Sequence, residues 1–479
     1  MRPVNSRIGQ EISRLTQHHP ELSGIYTLSD GLDAFAARMK LADLAEQTLD
    51  LQYYIWNKDM SGMLMYSVIQ RAADRGVKVR LLLDDNNTRG LDNILLALDR
   101  HPNIEVRLFN AFKTRKIRAL SYLTDFSRLN RRMHNKGFTA DNQATIIGGR
   151  NIGDEYFSAG GEQLFSDLDV LAIGPVVSQV SEDFERYWNC PSVNLLTEVI
   201  RPRPWRGRKN TISSMMGQVS LNPHAERYVK RLEQADFFVQ LAGGKLPLIW
   251  AKTHLISDDP AKARGEAPDN GLITSHIISA INEPMHQLDI ISPYFVPTRA
   301  GVEQLIALAE KGVDIAILTN SLKANDVAIV HAGYAKWRRR LLQHGIKLYE
   351  LKRDTSDGRQ PRDRGLTGKS GSSLHAKTFS VDCREVFVGS FNFDPRSAML
   401  NTEMGFVIAS ESLSDTIHQI FIGTLNEKAY QVCLDEKGKM YWREYAEGRE
   451  RIHQSEPGTL IYERLFIRAL YHLPIEWLL

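Results

Sequence analysis

One short pattern occurs twice in this chain and constrains the fold more than any other feature. The first copy reads His134-Asn-Lys-Gly-Phe-Thr-Ala-Asp141, and after six intervening residues it continues as Gly148-Gly-Arg-Asn151. The second copy reads His375-Ala-Lys-Thr-Phe-Ser-Val-Asp382, and after six intervening residues it continues as Gly389-Ser-Phe-Asn392. The matched positions lie 241 residues apart. A repeat of this length predicts a chain built from two similar halves.

Each half also repeats a strand–helix–strand pattern. In the first half, the apolar segment Leu49–Trp56 is followed by a helical pattern and by a second strand-like segment at 75–84. In the second half, Leu288–Val296, another helical pattern and the segment 311–319 follow in the same order. Such units predict an α/β fold with two similar halves, each a largely parallel sheet flanked by helices.

A stretch rich in proline and charge separates the two halves. Arg201–Lys209 suits neither a helix nor a strand, so we place the first half at 1–200. A basic, proline-containing linker and the start of the second half occupy 201–230, and the second half occupies 231–479.

Three further segments carry expectations of their own. The apolar C-terminal tail begins at Tyr462, and we expect its first part to pack in the core. Its end, Ile475–Leu479, is a candidate for contact with a membrane. The long polar loops at 257–270 and 354–373 are candidates for covering a site.

Composition excludes several classes of protein. The three cysteines of this 479-residue chain lie far apart, so we expect neither a disulfide framework nor a cysteine-based metal site. The N-terminus lacks the apolar core of a signal peptide, and no run of about 20 apolar residues predicts a transmembrane helix. The net charge of +3 permits an acidic partner without requiring one.

The repeated residues suit chemistry at a phosphodiester. In each copy the histidine and the lysine lie two residues apart in an extended segment, so their side chains share one face. The lysines and nearby backbone N–H groups can neutralise an anionic phosphate without a metal. One imidazole can attack phosphorus while a second, protonated one gives its proton to the leaving alkoxide. Two histidines, one from each half, therefore suffice for a double displacement.

The paired pattern resembles the HKD signature of the phospholipase D superfamily. The resemblance implies a pseudo-twofold pair of halves with one shared active site, a phosphohistidine intermediate, and no metal or other cofactor. It implies that His134 and His375 act as nucleophile and general acid. The other residues that it implies are the catalytic Lys136, Asp141, Lys377 and Asp382, and the substrate-binding Gly149, Asn151, Ser390 and Asn392.

Acidic residues downstream of each copy resemble the histidine partners of the superfamily. They are Glu403 in LNTEMGFVI and either Asp167 or Asp169 in FSDLDVLAIGP. A carboxylate that accepts a hydrogen bond from one ring nitrogen would fix the histidine tautomer and raise its nucleophilicity.

Other segments extend the resemblance to bacterial cardiolipin synthases, and among these to the third subclass. The segments are Gly24–Phe35, Gln52–Ile55, Asp183–Trp188 and Asp258–Lys262. This resemblance implies transfer of a phosphatidyl group from phosphatidylethanolamine, or from phosphatidylglycerol, to phosphatidylglycerol. It also implies a peripheral protein on the cytoplasmic side of the bacterial inner membrane. Basic clusters such as 113–118 suit the anionic headgroups of that membrane.

Three alternatives remain open at this point. One is a phospholipase D-type hydrolase, in which water replaces the lipid acceptor. Another is a nucleic-acid phosphodiesterase, although two motifs in one chain favour the lipid enzymes, and we expect no nucleic-acid partner. The last is a membrane-binding protein without activity, which the intact motif residues disfavour.

Overall fold

The computed structural model describes residues 6–157, 167–201, 240, 245–325, 327–353, 374–446 and 448–470. The predicted linker beyond Arg201, the predicted polar loop at 354–373 and the terminal segment Ile475–Leu479 lie outside the described residues. The described residues form two compact units. The first holds those up to His276 except Asp167, together with Leu400–Phe406. The second holds Asp167, Ile277–Met399 and the chain from Val407 onward.

The first unit is a mixed sheet with helices packed against it. Its strands are β1 (Ser23–Leu28), β2 (Thr48–Tyr53), β3 (Lys78–Asp84), β4 (Ile104–Phe109), β5 (Gly137–Ala140), β6 (Ala144–Gly148), β7 (Asp169–Ile173), β8 (Val193–Leu195) and β9 (Ile249–Ser257). Its helices are α1 (Arg7–Thr16), α2 (Gly31–Leu44), α3 (Met60–Asp74), α4 (Asp92–Asp99), α5 (Arg118–Leu129), α6 (Asp154–Phe157), α7 (Val176–Trp188) and α8 (Leu196–Val199). The strands pair in the order β9-β1-β7-β6-β5-β2-β3-β4-β8, and of these neighbouring pairs only β2–β3 and β3–β4 are parallel.

The second unit repeats the same central arrangement. Its strands are β10 (Gln287–Ile291), β11 (Asp314–Asn320), β12 (Lys347–Leu351), β13 (Thr378–Val381), β14 (Glu385–Gly389), β16 (Ala429–Leu434), β17 (Met440–Ala446) and β18 (Arg449–His453). Its helices are α10 (Thr298–Glu310), α11 (Ala328–Ala335), α12 (Arg338–Gln343), α13 (Pro395–Met399), α14 (Glu411–Lys428) and α15 (Ile461–Leu470). The helix α9 (Ile273–Ala280) and the strand β15 (Met404–Ala409) each contain residues of both units. Here β10, β11 and β12 are the parallel strands.

The strand–helix–strand units follow from buried strands and a capped helix. In the first, Leu49 and Leu51 of β2 are fully buried in one core with Val68 of α3. The side chain of Asp59 caps α3 by accepting from the N–H of Gly62. A Cβ atom at Gly62 would lie 1.9 Å from the carbonyl oxygen of Asn57, so this close approach requires glycine.

The prediction of an α/β fold with two strand–helix–strand units is confirmed, but the sheets are mixed rather than largely parallel. Parallel pairing is limited to three strands in each unit. The strands that follow return through tight turns, such as the turn at Asp141 and Asn142 with φ of 51° and 54° between β5 and β6. A turn of only three residues joins antiparallel neighbours, because parallel strands need a long crossover.

Two segments differ from their predicted placement. Strand β9, which the sequence-based boundary assigns to the second half, belongs to the first unit because it pairs with β1. Helix α15 buries Ile467 but exposes Leu465 and Phe466, so the expectation of core packing is wrong for much of this segment. Within the part of the chain that the structure describes, no helix is both long enough and apolar enough to cross a bilayer.

Candidate active site

The first motif histidine is held in an extended segment that follows α5. The N–H of His134 donates to the carbonyl oxygen of Thr402 at 2.8 Å, and the N–H of Thr402 donates to that of Arg132 at 2.9 Å. These bonds fix the backbone around His134 before the chain enters β5. Residue 402 belongs to the same compact unit as His134, although it follows the second motif in the sequence.

Glu403 binds the ring of His134. Its Oε2 lies 2.8 Å from Nδ1 of His134, and the Glu403 side chain is fully buried. A carboxylate oxygen can only accept a hydrogen bond, so Nδ1 carries the hydrogen. In the neutral ring, Nε2 then holds the lone pair that a nucleophile or a base needs.

A buried ion pair supports Glu403 from behind. The N–H of Glu403 donates to Oδ2 of Asp258 at 2.8 Å, and the N–H of Asp258 donates to the carbonyl oxygen of Glu403 at 3.0 Å. Lys262 Nζ lies 2.9 Å from the same Oδ2, and both side chains are almost completely buried. Burial raises the pKa of the Asp258 carboxyl to about 7, and the Lys262 ammonium opposes this shift.

The segment 257–270 therefore differs from its expected role. We predicted a polar loop that could cover a site, whereas Asp258 and Lys262 are buried within the first unit. Residues Pro260–Arg264 form a 3₁₀ helix that Asp259 caps through its side chain. The segment serves as the platform for the backbone of Glu403.

Lys136 and Tyr54 complete the surroundings of His134. Lys136 is buried, and its Nζ donates to the carbonyl oxygen of His134. The ring of Tyr54 lies edge-on to the His134 ring with centroids 5.0 Å apart, and Lys136 Nζ lies 5.7 Å from its centroid. Tyr54 lies outside the two motifs and is not among the predicted site residues. Its position directly after β2, at the carboxyl end of a parallel strand, is the signal that could have identified it.

The second motif repeats this arrangement with a different acid. Asp167 Oδ2 lies 2.6 Å from Nδ1 of His375, and Asp167 is buried. Lys377 Nζ donates to the carbonyl oxygen of His375 at 2.6 Å and lies 3.3 Å from its Nδ1. Both His375 and Asp167 belong to the second unit. Each motif histidine thus has a buried carboxylate on Nδ1 and a buried lysine two residues further along.

The residue that ends a parallel strand anchors each motif. At the end of β3, Asp84 accepts from the N–H of Met133 at 2.8 Å and pairs with Arg132 at 2.7 Å. At the end of β11, Asn320 accepts from the N–H of Leu374 at 3.2 Å. Met133 and Leu374 directly precede the two histidines, so strand ends position both motifs in the same way.

The structure does not bring the motif aspartates to the histidines. Asp141 accepts from the N–H groups of Gln47 and Thr48 at 2.8 and 2.9 Å, at the start of β2. Asp382 likewise accepts from the N–H groups of His286 and Gln287 at 2.7 and 2.8 Å, at the start of β10. Each aspartate follows β5 or β13, whereas the histidine precedes that strand, which places them roughly 20 Å apart along an extended chain.

These hydrogen bonds change the titration of the second aspartate. Burial alone would raise the pKa of Asp382, but the backbone N–H donors outweigh it and hold the pKa below its usual value. The ionised carboxylate therefore suits a structural role at a strand start.

Asp169 also has partners other than a histidine. Its Oδ2 lies 2.9 Å from Arg38 and 3.4 Å from Arg150, and all three side chains are buried. Arg150 further donates to the carbonyl oxygen of Leu28 at 2.8 Å. The second motif has Phe391 at the position that matches Arg150. Both side chains are buried, so this substitution between the motifs changes how each core is packed.

The predicted substrate-binding residues differ in how they are bonded. Asn151 Oδ1 accepts from the N–H of Ile55 at 3.0 Å, and the N–H of Gly149 donates to Leu168 at 3.2 Å. Ser390 and Asn392 are buried, and Asn392 Oδ1 has no hydrogen-bond partner among the described residues. Within those same residues, no group of three or more His, Cys, Asp or Glu side chains is arranged to hold a metal.

Comparison with known proteins gives one consistent match. The family model described as "Cardiolipin synthase, PLD-like domain" matches residues 39–188 and 277–425. Cardiolipin synthase C of Escherichia coli K12 is 54% identical over 473 residues, which cover 99% of this chain and 100% of the relative. Cardiolipin synthase B of the same organism is 23% identical over 87% of this chain and 84% of the relative. The crystal structure of phosphatidylserine synthase from Haemophilus influenzae Rd KW20 has the same fold, with a TM-score of 0.57 at 15% identity over 96% of this chain and 95% of that one.

Proposed function

This chain belongs to the phospholipase D-like cardiolipin synthase family and is a phospholipid phosphatidyltransferase, and we propose that it forms cardiolipin through a phosphohistidine intermediate. The observation that supports this proposal is the pair of histidine–carboxylate contacts, His134 with Glu403 and His375 with Asp167. Membership of this family implies association with membranes. We propose that the protein acts at the cytoplasmic face.

In the first step, Nε2 of one motif histidine attacks the phosphorus of the donor lipid. A bond forms between nitrogen and phosphorus, and the bond between phosphorus and the headgroup oxygen breaks. The other motif histidine, in its imidazolium form, gives a proton to the leaving alkoxide. Ethanolamine or glycerol leaves, according to the donor, and the phosphatidyl group remains on nitrogen.

In the second step, the primary hydroxyl of phosphatidylglycerol attacks the same phosphorus. The histidine that gave its proton is now neutral and takes the proton of this hydroxyl. The nitrogen–phosphorus bond breaks and cardiolipin is released. Lys136 and Lys377 carry the positive charge that offsets the phosphate oxygens in both steps.

Transfer requires that the hydroxyl of the acceptor lipid reacts with the phosphohistidine faster than water does. Positioning an acceptor in attack geometry is equivalent to an effective concentration of roughly 10⁵ M or more, which exceeds that of bulk water. We propose phosphatidylglycerol as acceptor, and phosphatidylethanolamine or a second phosphatidylglycerol as donor.

Mixed vesicles of phosphatidylethanolamine and phosphatidylglycerol test this proposal. We expect cardiolipin as the main product by mass spectrometry, and a headgroup label on each lipid in turn identifies the donor. Phosphatidic acid as the main product at high acceptor density would show a hydrolase instead. Cleavage of single-stranded DNA in place of lipid turnover would show a nucleic-acid phosphodiesterase.

Each motif histidine is tested separately. His134→Ala and His375→Ala should each lower transfer by about 10³-fold or more, because each removes either the nucleophile or the proton donor. His344→Ala, at an exposed histidine outside the motifs, is the matched control and should retain activity. Circular dichroism checks that the variants fold. Substantial activity in either motif variant, or recovery on mixing the two, would contradict a reaction that uses both histidines of one chain.

A further inference from the structure

Helix α5 presents its apolar side to solvent. Ile117, at the turn before the helix, and Leu120 are 59% and 48% exposed. Leu123 is 83% exposed, and Phe126, which follows a break in the helix at Asp125, is 44% exposed. All four side chains are exposed, so together they form one apolar strip on the solvent side, which we call the α5 stripe. An ordinary surface helix turns such a stripe toward the core.

The polar side of α5 faces the protein instead. Arg118 donates to the carbonyl oxygen of Asn86 at 2.6 Å, and the Tyr122 hydroxyl donates to the side chain of Asn86 at 3.0 Å. The hydroxyl of the buried Ser121 accepts from the N–H of Thr114 at 3.2 Å. These contacts fix the rotation of the helix, so the outward direction of the α5 stripe is built into the fold.

Helix α5 lies at the edge of the first sheet where the parallel strands β3 and β4 end, and His134 lies at this same edge. Its beginning is bonded to Asn86, which follows β3, and its end is bonded to Asn110, which follows β4 and donates to the carbonyl oxygen of Arg128 at 2.9 Å. Both contacts lie at the carboxyl ends of parallel strands, where Tyr54 meets the ring of His134. Four residues separate the end of α5 from His134.

We propose that the α5 stripe inserts into the interface of a phospholipid bilayer and so brings the His134 edge of the first unit to the level of the lipid phosphates. This inference rests on the proposed function, because a membrane lipid presents its phosphate at that level. Exposed leucine and phenylalanine on one side of a helix, beside basic residues, are typical of helices that lie in the interface plane.

The charge around the stripe remains positive and is complementary to anionic lipids. The segment Lys113–Arg131 contains six basic residues. Three aspartates that pair with them, Asp85, Asp92 and Asp125, offset only part of this charge. The side chain of Lys113 is 80% exposed. A second copy of the chain fits less well, because a stripe of four side chains covers on the order of a few hundred Å², whereas a stable protein interface takes about 800 Å² from each partner.

Vesicle binding of the full chain tests the proposal. Leu123→Asp should weaken co-sedimentation with phosphatidylglycerol-containing vesicles by roughly tenfold or more, because a carboxylate resists insertion and repels anionic lipid. Ile278→Asp is the matched control, since Ile278 is 74% exposed and lies outside the stripe. The control should bind as the wild-type protein does. Equal binding by Leu123→Asp and wild type would overturn the proposal.

A soluble substrate separates this proposal from the proposed function. On monomeric short-chain phosphatidylglycerol, Leu123→Asp should react at the wild-type rate, and only its activity on vesicles should fall. If the wild-type protein does not transfer phosphatidyl groups at all, the proposed function fails, while vesicle binding still decides the role of the stripe. A wild-type dimer that Leu123→Asp converts to a monomer with unchanged vesicle binding would identify the stripe as a self-association surface and overturn the proposal.

Discussion

At the scale of residues, the two motif histidines share one constraint, a buried carboxylate on Nδ1. Glu403 and Asp167 each hold the hydrogen on that nitrogen and direct Nε2 away from themselves. The acids differ in length, and the ring of His134 also lies against the ring of Tyr54. The two histidines are therefore chemically similar without being equivalent, which suits unequal roles in a double displacement.

The roles of Glu403 and Asp167 can be tested by substitutions that keep the size of each side chain. Glu403→Gln and Asp167→Asn should each lower the rate of transfer by about 10²-fold or more, because an amide no longer selects the tautomer that leaves Nε2 free. The loss should appear in kcat more than in KM, since neither acid contacts the lipid in the proposed mechanism. Asp169→Asn alters the buried arginine cluster and should lower thermal stability instead. Wild-type kcat in either histidine-partner variant would contradict the proposed role of these acids.

In the proposed mechanism Asp258 is a positioning residue, because it contacts the backbone of Glu403, which in turn binds the ring of His134. Asp258→Asn should lower kcat and also destabilise the fold by about 3 kcal/mol, because it leaves the Lys262 ammonium buried without its partner. The double variant Asp258→Asn/Lys262→Met should recover much of the stability but not the activity. Urea unfolding and initial rates on vesicles measure the two effects. Recovery of both together would indicate a purely structural role.

The sequence supplied the histidines and the lysines, and it supplied Glu403 through resemblance. It could not choose between Asp167 and Asp169, because side chains two residues apart in an extended segment share one face. Tyr54 and Asp258 stand outside any repeated pattern. Their contacts with His134 and Glu403 depend on which distant strands and turns pack together, and local spacing does not encode this.

At the scale of elements, each motif aspartate binds the backbone at the start of a neighbouring strand. Asp141 and Asp382 each gather N–H groups from the residues that begin β2 and β10. The strand–helix–strand units were predictable because their strands are short, mostly apolar segments that are buried along most of their length. That β9 belongs to the first unit could not be predicted, because β9 pairs with β1, which lies more than 200 residues away in the sequence.

The aspartates should therefore contribute stability rather than chemistry. Asp141→Ala should lower the free energy of unfolding by about 2 to 3 kcal/mol, because it removes the acceptor of partly buried N–H groups. Asp382→Ala should cost less, about 1 kcal/mol, because water can reach most of its donors. At a temperature where both variants stay folded, kcat should remain within a few-fold of wild type. A loss comparable to that of His134→Ala would assign the aspartates to the chemistry.

At the scale of the whole molecule, a buried network of charged side chains links distant segments of the second unit. Arg338 pairs with Glu350 at 2.9 Å and also with Glu456, which lies 3.1 Å from His331. Trp442 of β17 donates to Glu350 at 2.9 Å. The network joins α11 and α12 to the C-terminal strands, and no sequence pattern marked it because its members are spread over more than 100 residues.

This network predicts a loss of stability in acid. Burial alone would raise the pKa of Glu456, but Arg338 and His331 outweigh it and hold the pKa well below the usual value. Ionised Glu456 thus stabilises the fold above its unfolded pKa, about 4.3, and this stabilisation is lost as pH falls below that value. Glu456→Gln should be less stable than wild type at pH 7, and the difference should shrink between pH 5 and 3. Urea unfolding at each pH measures it, and a constant difference would contradict the prediction.

The first unit takes Thr402 and Glu403 from a segment that follows the second motif, and this fixes when the unit can be completed during synthesis. The ribosome synthesises His134 early in translation. Asp258, however, can bond to the backbone of Glu403 only after residue 403 has left the exit tunnel. The sheet of the first unit can form well before then, as domains commonly do while the chain is still growing. Its histidine gains its carboxylate only when most of the chain exists. We therefore expect a nascent chain truncated before residue 400 to lack the carboxylate partner of His134, and transfer activity to appear only near the end of translation.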